Sequence, residues 1–316
     1  MTTKDRVLTL LAACKGSFLS GEELAQSLQL SRAAVWKAVG SLKEQGFPIE
    51  TQPGKGYCLS SCGDILTRGG IESRLEAGNR WSLQVLGDVT STNALLRQQA
   101  MAGAPDGAVL AAGSQSLGRG RLGRSFFSPA DTGVYLSVLI RRDWGAEESR
   151  RLTTMAALAA CRAVSRVSGK EAGIKWVNDV FLNGKKVCGI LTEAAFSLED
   201  GRLDYAVVGA GFNAYAPREG FPEELREIAG PVFDATQEEG RNRLAAAFLN
   251  ELASLLAGPE GYLADYRAHS LVLGKEILAG DRKATALELD DSCGLVVEYE
   301  DGRVETLRAG EIRIKM

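Results

Sequence analysis

Apolar residues recur three and four apart at the start of the chain, where Val7, Leu8, Leu11 and Ala12 share one face and predict a helix. Ser20 stands three residues ahead of Glu23, the pairing of a capping box, and opens a second helix that runs through Leu28. Ser31 is placed to cap a third helix, over Arg32–Gln45, which Gly46 ends. On that helix Val35, Val39 and Leu42 fall on a face to be buried, Ala33, Lys37 and Glu44 fall opposite, and Trp36 lies at the flank. The pattern then changes to two short apolar runs, Phe47–Thr51 and Tyr57–Ser60, about the turn Gln52-Pro53-Gly54-Lys55-Gly56, which predicts a hairpin. Helix, short helix, turn, helix and hairpin is the order of a winged helix-turn-helix. Such a module puts its third helix in the major groove and its wing near phosphate, so Ser31, Arg32, Ala33, Trp36, Lys37 and Lys55 are the candidate DNA contacts. The alternative is a winged helix used only for protein contacts.

Beyond about residue 63 strands alternate with helices. Ser82–Leu86 and Ala108–Gly113 read as strands on either side of a helix over Asn93–Ala102. Val134–Ile140 is a further strand, followed by a long helix over about Glu147–Ser168. Ile174–Trp176 leads into a hairpin turned by Asn183-Gly184, and Leu203–Asn213 pairs back through Asp200-Gly201 onto a strand ending near Glu193. Leu244–Leu256 is apolar at helical spacing. This section reads as an α/β layer around a mixed or antiparallel sheet. From about Ser270 the chain is a run of short strands with turns at Gly280-Asp281, Gly294, Asp301-Gly302 and Gly310, which suggests a small β-barrel. The reading is therefore an α+β multidomain chain with units at about 1–62, 63–270 and 271–316.

Composition narrows the classes. With 37 Lys/Arg against 40 Asp/Glu, the whole molecule is not a polyanion binder, so any nucleic-acid contact is local. The first sixty residues carry seven basic and five acidic side chains, a small excess of the right sign for a front-end DNA module. The six cysteines are scattered and lack paired spacing, which reads as reduced thiols in a cytoplasmic protein. Cys58 and Cys62 lie close together, but no second Cys/His pair completes a metal set. The polar start Thr2–Arg6 is not a signal peptide, and no apolar run reaches the ~18 residues of a membrane span.

The candidate chemistry begins at Gly118–Arg124, Gly-Arg-Gly-Arg-Leu-Gly-Arg. Alone, such a loop lacks stiffness and its arginines repel one another, so it is expected to be mobile. An anion alters the balance, because freed backbone N–H groups and forked guanidinium groups converge on phosphate oxygens. A contact charge pair is worth about 1 kcal/mol in water and about 4 kcal/mol at an effective dielectric near 20, so several such contacts can order the loop. A flexible basic loop or a nucleic-acid contact would read the same way. Thr90-Ser91-Thr92-Asn93, between a strand and a helix, offers hydroxyls and helix-start N–H groups to a polar head group, or serves only as a cap. Lys175-Trp176-Val177-Asn178-Asp179 places a lysine at a strand end, where it can neutralise a carboxylate and a phosphate together, or simply face solvent at a turn. Glycines inside strands, at Gly189 and in Gly209-Ala210-Gly211-Phe212-Asn213, mark close approach by ligand or backbone.

Taken jointly, Ser-Thr-Asn, Gly-Arg-Gly-Arg-x-Gly-Arg, Lys-Trp-x-Asn-Asp, Gly-Ile-Leu-x-Glu and Gly-x-Gly-x-Asn resemble the biotin–protein ligase family in order and spacing. The winged helix resembles that of bifunctional members which also repress the biotin operon, and Ala309-Gly310-Glu311-Ile312 resembles the family's C-terminal SH3-like barrel. The resemblance implies a class II synthetase-like core that activates biotin with ATP and Mg2+ to biotinyl-5′-AMP and transfers biotin to a lysine of a biotin carboxyl carrier protein. It implies a biotin site of Ser91, Thr92, Asn93, Gln115, Gly118, Arg119, Gly120, Arg121, Lys175, Gly189, Gly209 and Gly211, with Lys175, Arg119 and Arg121 catalytic. Arg121, Arg124, Asn178, Asp179 and Asn213 would serve the nucleotide, and biotinyl-AMP would drive a homodimer onto operator DNA. Leu122 stands where some relatives carry arginine, and Val177 stands where proline is usual. The competing readings are a lipoate–protein ligase-like enzyme and a ligand-sensing transcription factor without ligase activity.

Overall fold

The computed structural model of the chain describes residues 2–14, 16–44, 47–59, 64–197, 199–308 and 312–314. The front module is α1 (Thr3–Ala13), α2 (Gly21–Leu28), α3 (Arg32–Glu44) and a hairpin of β1 (Ile49–Gln52) and β2 (Gly56–Leu59). Its core is small and dry, with Val7, Leu11, Leu24, Val35 and Leu59 at most 1% exposed. Both sequence caps hold: Glu23 N donates to Ser20 Oγ at 3.1 Å while Ser20 N donates to Glu23 Oε2 at 2.7 Å, and Ala34 N donates to Ser31 Oγ at 3.1 Å. Leu19 and Tyr57 exchange two backbone hydrogen bonds of 2.8 Å, which draws the segment before α2 onto the hairpin. Gly56 permits this approach, because its φ is +104° and a Cβ there would lie 2.1 Å from the Leu19 carbonyl oxygen. The expected helix end at Gln45 and Gly46, the strand end at Ser60, Cys62 and the stretch Ala309–Glu311 lie outside the described residues.

The central unit begins with the short α4 (Arg68–Glu72) and continues β3 (Ser82–Val89), α5 (Thr92–Met101), β4 (Ala108–Gln115), β5 (Gly133–Ile140), α6 (Ala146–Ser168), β6 (Ala172–Lys175), β7 (Asp179–Leu182), β8 (Lys185–Phe196) and β9 (Leu203–Asn213). Three helices follow, α7 (Glu223–Arg226), α8 (Gly240–Ala257) and α9 (Tyr262–Ala268). The sheet order is β3-β4-β5-β9-β8-β7-β6, and only β3 and β4 run parallel, so the sheet is mixed. Strand alternation sorts its two faces. Val138 and Ile140 point to α6 and α8, whereas Leu139 points with Leu96, Ala100, Leu110 and Val207 to α5. The α6 segment Ala156–Ala160 is wholly buried, so the middle of α6 is interior while its ends reach solvent. The expected strand Ile174–Trp176 ends one residue early, because the indole of Trp176 turns inward and Nε1 donates to the Cys293 carbonyl at 3.0 Å.

The last unit is one antiparallel sheet of β10 (Glu276–Ala279), β11 (Arg282–Leu289), β12 (Leu295–Tyr299), β13 (Val304–Leu307) and β14 (Ile312–Ile314), in the order β13-β12-β11-β10-β14. Its inner face, including Ile277, Leu289, Leu295 and Val297, joins the hydrophobic core of the central unit. Among the described residues no ladder joins β13 to β14.

A buried polar cluster forms where the chain enters the central unit. Asp64 is 2% exposed and accepts from the Tyr215 hydroxyl at 2.9 Å and from the backbone N–H of Arg241, at the start of α8. A carboxylate there meets the positive end of the helix dipole. The Arg241 guanidinium, also 2% exposed, donates to the carbonyls of Gly133 (2.7 Å), Asp64 (3.0 Å) and Gly113 (3.3 Å). One side chain therefore ties the linker to the ends of β4 and β5.

Candidate active site

Register brings distant motifs into one line. Lys175 pairs with Asp179, Asp179 with Gly189, Gly189 with Gly211, and Gly211 with Tyr135. Directly paired residues project to the same face, so these five lie in one row across β6, β7, β8, β9 and β5. The next row on that face is Leu191, Gly209 and Ser137. The N-terminus of α5 sits above these rows and closes a cleft lined by Ser91, Thr92, Asn93, Gln115, Arg119, Gly189, Gly209 and Gly211 together with Phe126, Leu136, Leu191 and Ala210. Eight residues anticipated for the biotin site thus share one cavity.

The strand glycines are required by what fills the space above them. A Cβ on Gly209 would lie 2.2 Å from Asn93 Oδ1, and one on Gly211 would lie 2.5 Å from Phe126 Cε1. Phe126 also approaches the Gly189 position, at 3.3 Å, and meets Tyr135 edge to face with centroids 6.4 Å apart. Burial pushes the Tyr135 phenol up to about 12, so it stays protonated and donates to the Pro129 carbonyl at 3.1 Å. Ser91 caps α5, and Gln115 bridges from Thr92 N (2.9 Å to Oε1) to Ser128 Oγ (3.0 Å from Nε2).

The segment 118–124 has more structure than its composition predicts. Phe126 N donates to the Gly118 carbonyl at 2.8 Å and Gly120 N donates to the Arg124 carbonyl at 2.7 Å, which makes a narrow hairpin tipped by a 3-10 turn over Arg121–Gly123. Gly118 is needed at its base, where a Cβ would be 2.4 Å from the Phe126 carbonyl oxygen. Leu122 is exposed at the tip with φ 56°. The arginines separate: Arg119 reaches towards Glu193, 3.8 Å away, while Arg121 donates to Asn178 Oδ1 at 2.9 Å.

Around Lys175 a second, more polar group forms at the far end of the row. Lys175 Nζ lies 5.8 Å from the Phe181 ring centroid. The segment after Lys175 is braced from two sides, by Cys293 on Trp176 and by the Tyr266 hydroxyl, which donates to the Val177 carbonyl at 3.1 Å. Asn178 Nδ2 donates to the Ile190 carbonyl at 2.9 Å. Lys186 Nζ lies 2.7 Å from Asp179 Oδ1, and Asn213 Nδ2 donates to the Lys186 carbonyl at 3.3 Å. Arg121 and Asn178 are thus linked to each other, as are Lys175 and Asp179 by strand pairing, but none of these four nor Asn213 lines the cavity itself, while Gly120 and Arg124 stay in the hairpin tip. Phe126, Ser128, Ser137 and Lys186 stand beside the candidate site and lie outside the motifs, and Glu193 is the last residue of the Gly-Ile-Leu-x-Glu motif, which gave it no role. Each becomes visible only when strand pairing shows what faces the glycines.

In the front module the exposed face of α3 carries Arg32, Ala33, Trp36, Lys37 and Gly40, with Trp36 72% exposed. Trp36 is therefore central on the outward face, not at its flank. Lys43 Nζ donates to Thr51 Oγ1 at 2.7 Å and holds the helix to the wing, and Lys55 lies 6.0 Å from the Phe18 ring centroid. Ser31 spends its hydroxyl as a cap.

Residues 85–213 match the Biotin/lipoate A/B protein ligase family, and residues 4–58 match an HTH domain. The bifunctional ligase/repressor BirA of Escherichia coli is 30% identical over 99% of this chain and 98% of its own length. The chain belongs to the bifunctional ligase/repressor family. Within it, BirA of Bacillus subtilis is 32% identical over 75% of this chain and 73% of its own. A biotin–[acetyl-CoA-carboxylase] ligase of Mycobacterium tuberculosis is 34% identical over 75% of this chain and 90% of its own. Among solved structures, the Aquifex aeolicus biotin protein ligase in complex with biotin and ATP shares the fold at TM-score 0.58 and 24% identity, over 74% of this chain and 98% of its own. Family membership accounts for the order of units: helix-turn-helix in front, mixed α/β sheet in the centre, antiparallel sheet at the end.

Proposed function

We propose that this chain activates biotin with ATP to biotinyl-5′-AMP and transfers the biotin to a lysine of a biotin carboxyl carrier protein, and that its front module represses biotin genes. The observation that supports this most directly is the shared row that sets Lys175 and Asp179 in line with the glycine-floored cleft. The cleft receives the bicyclic head of biotin beside the start of α5 and Phe126, whose side chains pack on Gly209 and Gly211. The carboxylate tail then points along the row to Lys175. There it attacks the α-phosphate and pyrophosphate leaves. Lys175 bridges the two reacting anions, and Arg119 and Arg121 offset charge that builds on the phosphate, which is catalysis by position and preset electrostatics. In the second step a carrier lysine amine attacks the acyl carbon and AMP leaves. Arg124, Asn178 and Asn213 serve the nucleotide side.

Magnesium fits as an ion that arrives with the nucleotide. Among the described residues no group of three His, Cys, Asp or Glu side chains forms a cage. Asp179 Oδ1 is buried without a hydrogen bond of good direction, although Lys186 stands 2.7 Å away, so this carboxylate is the group that would help hold an Mg2+ ion, and the ion would supply positive charge to the phosphates. We further place the unit boundaries near residues 62 and 270, assign the protein to the cytoplasm, and expect a homodimer when biotinyl-AMP is bound. Ser31, Arg32, Ala33, Trp36, Lys37 and Lys55 form the DNA-facing set, with Ser31 acting through its cap.

The test is incubation with labelled biotin, ATP, Mg2+ and a carrier domain. Label on the carrier lysine is expected. Label on the carrier from lipoate in place of biotin, or ligand binding with no transfer, would overturn the reading in favour of a lipoate ligase or a pure sensor.

A further inference from the structure

Glu193 closes the Gly-Ile-Leu-x-Glu stretch of β8, and no role given above uses it. Its Oε2 accepts from Asn93 Nδ2 at 2.9 Å, and the Leu191 carbonyl lies 3.3 Å from the same nitrogen. Both neighbours accept only, so the Asn93 amide has one orientation, with NH2 towards β8 and Oδ1 towards β5. On that side Ser137 Oγ is 2.6 Å from Asn93 Oδ1 and 2.8 Å from Thr92 Oγ1, which in turn is 3.2 Å from Gln115 Oε1. Asn93, Thr92 and Ser137 are all buried.

Counting protons sets the direction of this chain of bonds. Four oxygens leave three gaps, and the two hydroxyls supply two protons. The 2.8 Å gap between Ser137 and Thr92 must hold one, since two bare oxygens at that distance repel. With Asn93 Oδ1 facing Ser137, Ser137 donates to Asn93 and Thr92 donates to Ser137. Gln115 Oε1 then accepts only from the backbone N–H of Thr92, and Gln115 Oε1 and Thr92 Oγ1 keep lone pairs for an incoming donor. Reversing the Asn93 amide reverses the chain: Asn93 donates to Ser137, Ser137 to Thr92, and Thr92 to Gln115, which consumes that capacity.

We propose that Glu193 is a positioning and specificity-determining residue, which locks the Asn93 amide so that the Ser137–Thr92 relay leaves the head-group end of the cleft an acceptor of N–H groups. A cyclic urea presents such donors, and a dithiolane or plain acyl chain presents none. The inference rests on the biotin reading above and adds how the cleft tells that head group from others.

The test uses the full chain with E193A, E193Q and S137A, and measures steady-state adenylate formation with biotin and the inhibition of that reaction by octanoate, which has no N–H. E193A and S137A are expected to raise KM for biotin about tenfold, with kcat within about twofold, KM for ATP unchanged and octanoate inhibition unchanged. E193Q keeps an acceptor through its side-chain carbonyl and should stay within about twofold of the parent. An unchanged KM for biotin in E193A, or equal losses in E193A and E193Q, would overturn the proposal, the latter because charge next to Arg119 would then be the property that matters. Should E193A fail to fold, S137A carries the same readout. Failure of the underlying reading looks different, because the parent chain would then show no saturable turnover of biotin.

Discussion

At the residue scale the site depends on small groups that let large ones in. Gly211 is the sharpest case, since the atom that its substitution would add overlaps Phe126. G211A should displace the ring, raise KM for biotin and destabilise the fold by about 1–3 kcal/mol, as overpacking does; calorimetry with the same kinetic assay checks both. Lys175 is different, because it is half-exposed at a strand end and contributes charge more than packing. K175A should lower adenylate formation roughly 100- to 1000-fold with an unchanged melting curve, and a folded K175A with near-normal turnover would remove Lys175 from the mechanism. The glycines, the arginines and Lys175 were readable in the sequence because motif spacing carries them. Ser137 and Phe126 were not, and Glu193 was legible only as the end of a motif, because each matters through a neighbour on another segment and no local pattern encodes that contact.

At the scale of elements, periodicity predicted the long helices and most strands, and local signals placed the caps of α2 and α3. The short α4, α7 and α9 escaped, since four to seven residues are too few to show a helical period. Burial has a chemical consequence in α6 and β8. Desolvation pushes the Cys161 thiol up to about 12 and the Cys188 thiol well above its ordinary value. The unfolded chain ionises these thiols near pH 9, where the folded chain holds them neutral. Their contribution to stability is therefore complete below about pH 9 and falls as pH rises towards 12. Urea midpoints measured from pH 7 to 11 should decline above 9, and in native protein at pH 8 a thiol reagent should leave both cysteines unlabelled. In the front module, the outward face of α3 supports nothing inside the fold. W36A should leave thermal stability unchanged and weaken operator binding, whereas removing Arg32 or Lys37 should lower the salt dependence of binding by about one unit per lost phosphate contact. Gel shifts over a salt series separate the two effects.

At the scale of the whole molecule, the central and C-terminal units share one hydrophobic core and the front module keeps its own. The C-terminal sheet contributes to the central core, and its Cys293 carbonyl holds the segment that carries Lys175, which the sequence could not show because the partners are 117 residues apart. The Asp64 cluster anchors the first residues of the central unit to the start of α8. D64N removes a carboxylate from the start of a buried helix and leaves the Tyr215 hydroxyl and the Arg241 N–H a weaker acceptor, so a loss of about 2 kcal/mol is expected, read from denaturant midpoints. The cluster also bears on how far this protein can be taken apart. A ligase trimmed to start at residue 64 keeps both acceptors that the linker supplies to Arg241. One trimmed a single residue further takes both of those acceptors from Arg241 and leaves the buried guanidinium the Gly133 and Gly113 carbonyls. The separable part of the chain therefore ends before Asp64, and an exchange of DNA-reading heads among such enzymes has to be spliced on the amino side of that aspartate.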